Sequence, residues 1–199
     1  MSGTINTKIE VFNAALDLVR EPPIQTLEDS AARPPARWIE RNFRTVIDAT
    51  TAANPWNHAR ARALLNEDLT APAFEWDYRY QLPGECLRVL PLTENGERTG
   101  SLVPFEIENG FLLTDQSGPL RVRYIRHHLD YSQWPPLFVQ LVAVNFAYGL
   151  VRRFDAKSAL VKDITEMRSE LQDAASQIDF VEGTVPQHDE FDILTVRRG

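Results

Sequence analysis

Few groups in this chain stand at spacings that could attack a carbonyl, move a proton or hold a metal. His127 and His128 form the one adjacent histidine pair. On a strand, neighbouring side chains point to opposite faces, so the two rings make a poor site for one ion. Cys86 is the single cysteine. It follows "LPGE" ahead of strand-like sequence, where a small core or turn residue is expected. No local pattern supplies the base that a nucleophilic thiol needs. One cysteine also rules out an internal disulfide and any cysteine-based zinc cluster. The chain contains no glycine-rich phosphate loop, no His-Glu-x-x-His and no Gly-x-Ser-x-Gly. No catalytic residue, metal ligand or cofactor is assigned from these residues.

Charge patterning is more informative. Asp163, Glu166, Glu170 and Asp173 recur at three- and four-residue steps, which places them on one side of a helix. Glu166 and Glu170 could be imagined as a carboxylate pair, although that spacing also describes a solvated face. From Asp163 to Asp192 there are nine acidic residues and one arginine, Arg168. Carboxylates so spaced repel one another, so the face works slightly against its own helix. Solubility, repulsion of DNA, and contact with a basic neighbour are the readings left open. The basic counterpart is Arg33, Arg37, Arg41 and Arg44, a stripe along another helix. It reads as a solvated face or as a subunit interface.

The elements that must carry these groups follow from periodicity. The spacing of Ile9, Phe12, Leu16 and Val19 predicts a helix over 7–19. Pro22 and Pro23 stop it, and "IQTLEDSAAR" reads as a loop with room for one local turn. A second helix starts at Pro34-Pro35, whose missing N–H groups cost nothing in a first turn. It buries Trp38, Ile39, Phe43, Val46 and Ile47, and ends at Asn54-Pro55. From about Ala59 to Arg126 the period falls to two. "FEWDYRYQL" would set Phe74, Trp76, Tyr78 and Tyr80 on one side of a strand. Asn95-Gly96 and Asn109-Gly110 are hairpin signals. A mainly antiparallel sheet of five or six strands is expected. "PPLFVQLVAVNFAYGLVRRF" then predicts the most buried helix, and a last helix spans about 156–180. In the tail, "EFDILTVRR" has strand character and is expected to dock on a partner.

The fold class is therefore α+β: a four-helix unit formed by residues 1–57 and 128–182, a β domain inserted at 58–127, and an extended tail at 183–199. Hydrophobic residues make up 43% of the 199, enough for a real core. The net charge of −7 argues against gripping nucleic acid by neutralising phosphates. "MSGTINTKIE" lacks the basic-then-apolar pattern of a secretory signal, and no run approaches the roughly 20 apolar residues of a bilayer span. No membrane partner and synthesis in a reducing cytoplasm are expected.

Several segments, in order, resemble one family. They are "FNAALDLVREPPIQTLEDSAARPPARWIERNF", "NPW", "FEWDYRYQLPGECLRVL" and "VRYIRHHLDYSQWPPLFVQLVAVNFAYGLV". Together, over roughly residues 8 to 180, they resemble the tail tubular protein A family, the head-to-tail adaptors of short-tailed phages and prophages. The resemblance implies a virion protein made in the bacterial host, assembled as a ring, typically of twelve subunits. The ring would sit between the portal protein and a tail nozzle of the tail tubular protein B kind. Double-stranded DNA would pass through it without specific binding. Asp163, Glu166, Glu170 and Asp173 become candidates for a channel wall or a ring interface. Phe191, Ile193, Leu194 and Val196 become candidates for portal docking. The family offers no catalytic residues. Pro34-Pro35 departs from an Ala-rich helix start and implies a longer preceding loop. The alternatives are a hydrolase using Asp or Glu on loops of the β domain, or a generic prophage-encoded binding module.

Overall fold

The computed structural model describes residues 7–96, 100–155 and 159–181, with side chains as far as Ala175 in the last helix. Thr7 caps helix α1 (Lys8–Leu18) through a reciprocal box: its hydroxyl accepts from the Glu10 N–H, and the Glu10 carboxylate accepts from the Thr7 N–H at 2.9 Å. The helix closes with Arg20 in the left-handed region at φ 59°. The Glu21 N–H reaches back to the Leu16 carbonyl, and the Arg20 N–H to that of Asp17. This is the Schellman closure that glycine usually provides. The helix therefore ends before the two prolines are reached.

The proline-flanked excursion is a tied segment. Asn13 accepts from the Ile24 N–H at 2.8 Å and donates to the Ile24 carbonyl at 3.0 Å, and Ile24 is buried in the helical core. A short helix α2 (Asp29–Ala32) supplies the local turn, with the Asp29 carboxylate accepting from the Gln25 and Thr26 N–H groups. Helix α3 (Pro34–Ala53) begins with both prolines in its first turn, as predicted.

Six strands follow among the described residues: β1 (Arg60–Leu65), β2 (Tyr78–Gln81), β3 (Cys86–Val89), β4 (Glu106–Glu108), β5 (Phe111–Thr114) and β6 (Leu120–Arg126). They form two three-stranded antiparallel sheets, ordered β1-β6-β3 and β2-β5-β4. Their inner faces share a core of Leu65, Leu120 and Val122 from one sheet with Tyr80 and Leu112 from the other. Asn109-Gly110 forms the two-residue β4–β5 turn, both residues at positive φ. The expected strand at "FEWDYRYQL" is shorter than its alternation implied. Glu75 at φ 69° breaks the extended run, so strand pairing starts at Tyr78 and Phe74 is exposed.

Helices α4 (Pro136–Phe154) and α5 (Leu160–Val181) are the last two described elements. Ten of the nineteen residues of α4 are buried, which makes it the central helix. By length and composition α4 could cross a bilayer, which narrows the sequence expectation; here it packs against α1, α3 and α5. Phe12, Phe43 and Phe146 meet in sequence, with ring centroids 5.4 and 5.7 Å apart, and join α1, α3 and α4. Gly149 lets the Trp38 indole lie directly on the α4 backbone. Helix α5 packs on α4 through Ile164, Val144, Ala147 and Val151. Residues 183–199 lie outside the described residues, and with them the docking candidates Phe191, Ile193, Leu194 and Val196.

Candidate functional site

The acidic residues share one exposed face of α5. Asp163, Glu166, Glu170 and Asp173 are all exposed, while Ile164 and Ala175 turn into the protein. Among the described residues, the ion pair of Glu166 is a long one with Lys162, 3.7 Å away on the same helix. Arg168 explains why the face is so one-sided. It turns inward, its guanidinium 4.8 Å from the Tyr148 ring centre and its Nε donating to Asn145 Oδ1 at 2.7 Å. Asn145 in turn donates to Thr50 Oγ1 at 2.9 Å. This chain crosses from α5 through α4 to α3. The segment's one arginine thus holds α5 in place rather than neutralising its surface.

The α3 stripe is divided by use. Arg33 donates to the Pro23 carbonyl at 2.9 Å and helps tie the excursion. Arg44 pairs with Asp48 on its own helix. Arg37 and Arg41 are exposed. No ion pair among the described residues joins this stripe to the acidic face of α5.

Sequence reasoning missed a basic face of the sheet. Strands β1, β3 and β6 carry six arginines and no acidic residue. Arg62 stands opposite Arg123, Arg60 opposite Ile125, and Leu64 opposite Arg121. Directly paired residues share a face, so Arg60, Arg62, Arg121 and Arg123 lie on the side away from the β core. Arg88, also opposite Ile125, extends that face onto β3. At its Ile125 end the face meets the helical core; at its other end Leu64 is exposed, while the turn at Asn95-Gly96 packs against Arg121. A hollow of about 860 Å³ lies against it, lined by Arg60, Arg62, Arg123 and Leu102 among others. The period-two arginines in "RARALL" and "LRVRYIR" were the available signal.

The histidines sit where the helices join the sheets. His127 pairs through Nδ1 with Asp48 of α3. His128 turns the other way, its ring centre 5.9 Å from that of His58. The His58 ring packs 4.6 Å from Phe138 and 6.0 Å from Trp56. Burial, reinforced by the nearby His128, lowers the His58 pKa to about 4. Burial also lowers that of His128, with Arg126 adding to it. Both imidazoles are thus neutral near pH 7 and serve as packing groups at the joint.

Burial pushes the Cys86 thiol up, which disfavours the thiolate. Asp68 is held below the usual carboxylate range by the Thr70 N–H and then by Arg79, and Asp130 by the Ser132 hydroxyl first. A general acid needs the opposite displacement. Among the described residues no group of three or more His, Cys, Asp or Glu could hold a metal. No protein-family model matches the chain, and no curated protein matches it.

Proposed function

We propose that this chain is a structural adaptor that assembles as a ring between a portal protein and a tail nozzle and passes double-stranded DNA without turnover. The observation that carries the reading is the distribution of charge on the fold. One protomer presents an acidic helix face and separate arginine-bearing surfaces, and the described residues do not pair them with each other. A contact between two different patches on successive copies generates a ring when the rotation closes. The α+β architecture, a helical unit interrupted by sheets, agrees with the adaptor resemblance in the sequence. The four carboxylates of α5 then face either the channel or a neighbouring subunit.

Charge reversal separates these roles. Glu166→Lys with Glu170→Lys leaves rings intact but impairs DNA passage if the face lines the channel. The same pair abolishes assembly if the face meets a neighbour. Rings and DNA delivery both unchanged would remove α5 from the mechanism.

A further inference from the structure

We infer that the arginine face of the β1-β6-β3 sheet is the receptor for the acidic face of α5 from a second copy of this chain. The inference rests on the ring reading above and assigns the surfaces that make the ring.

Three matches support the pairing. The first is charge. Arg60, Arg62, Arg88, Arg121 and Arg123 share one side of the sheet, in a protein whose net charge is −7. Arg62 and Arg121 are exposed, the latter while donating to the Asn95 carbonyl at 3.0 Å. Arg60 and Arg123 have contacts of their own, so the pairing rests on Arg62 and Arg121. The second match is length. From Arg60 to the Leu64–Arg121 pair the basic face runs four residues along β1, or about 14 Å. From Asp163 to Asp173 the acidic face runs ten residues along α5, or about 15 Å. The third match is apolar. Leu64 is 61% exposed on the same side as the arginines, and Leu102, beside the hollow, is 73% exposed. On α5, Met167 is 39% exposed and flanks Glu166 and Glu170.

Phosphate backbones would be drawn to the arginines but not to the leucines, and the overall negative charge opposes DNA at long range. A helix that brings carboxylates and a methionine together satisfies both kinds of group. Within one protomer, no ion pair among the described residues joins these two faces. The contact is therefore between copies, each giving its helix to one neighbour and its sheet to the next.

The test is a charge swap read by sedimentation velocity, with and without portal protein, at low and high salt. One variant carries Arg62→Glu and Arg121→Glu, and a second carries Glu166→Arg and Glu170→Arg. Each alone is expected to weaken self-association by roughly 100-fold, with circular dichroism unchanged. A chain with all four substitutions, or an equimolar mixture of the two variants, is expected to regain assembly, because each acidic face again meets a basic one. Wild-type assembly in the sheet variant overturns the inference and leaves the adaptor reading standing. So does failure of the swap to restore what the separate variants lose. Loss of binding to a labelled DNA duplex, with assembly unchanged, assigns the face to a polyanion instead. Absence of self-association by the wild type, on the portal or off it, overturns both readings.

Discussion

Acid should weaken this protein from about pH 6.5 downward, and His58 is the reason. Its ring is enclosed by Phe138, Trp56 and His128, and burial holds its pKa at about 4 against an ordinary 6.5. The folded state therefore keeps His58 neutral while the unfolded chain binds a proton. Between about pH 6.5 and pH 4 the unfolded state binds more protons, so stability falls as pH falls through that window. The contribution is complete above the unfolded value and lost progressively below it. The gap between the two values is worth roughly 3 kcal/mol; partial exposure of the ring reduces this to about 2 kcal/mol. His128 is shifted in the same direction and adds to the slope. Asp29, Asp68 and Asp130 have lowered pKa values, so their contributions are lost only below an ordinary value of 3.8, outside the window. Urea unfolding at about pH 7.5 and about pH 4.5 reads the effect. Wild type should lose about 2 kcal/mol more between those conditions than His58→Phe, which fills the same aromatic pocket without titrating. Equal losses in the two proteins would refute the argument.

Other consequences concern the helical unit. Asn13→Ala removes both hydrogen bonds that hold Ile24 and should cost about 2 kcal/mol; hydrogen exchange should show the loss of protection concentrated in residues 22–33. Gly149→Ala places a methyl group against the Trp38 indole, and despite the better helix propensity of alanine it should destabilise by about 1–3 kcal/mol in chemical denaturation. Pairing it with Trp38→Ala should relieve the clash. Arg20→Gly relaxes a left-handed residue at the end of α1 and should raise stability by up to about 1 kcal/mol, visible as a higher urea midpoint.

Much of the fold could be read where one periodicity dominates a segment. Phe12 and Leu16 in α1, Ile39, Phe43 and Ile47 in α3, and the apolar length of α4 are buried as their spacing required. The Asn109-Gly110 turn could also be read, because its backbone conformation selects those two residue types. The division of six strands into two sheets could not, since pairing depends on contacts distant in sequence, such as β1 with β6. Pro22 and Pro23 predict the end of α1, whereas Arg20 closes the helix in a conformation that its residue type does not advertise. At the surface, the acidic face of α5 followed from helical spacing alone. The arginine face of the sheet did not, because Arg62 and Arg123 become neighbours only when β1 meets β6. In the sequence Arg168 is an exception within an acidic segment; its inward role through Asn145 emerges only from the packed helices.

The adaptor reading is tested most directly by electron microscopy of the protein mixed with its cognate portal protein. Closed rings seated on the portal, with a central channel, are the expected result. Failure to form rings or to bind the portal under any condition would contradict it.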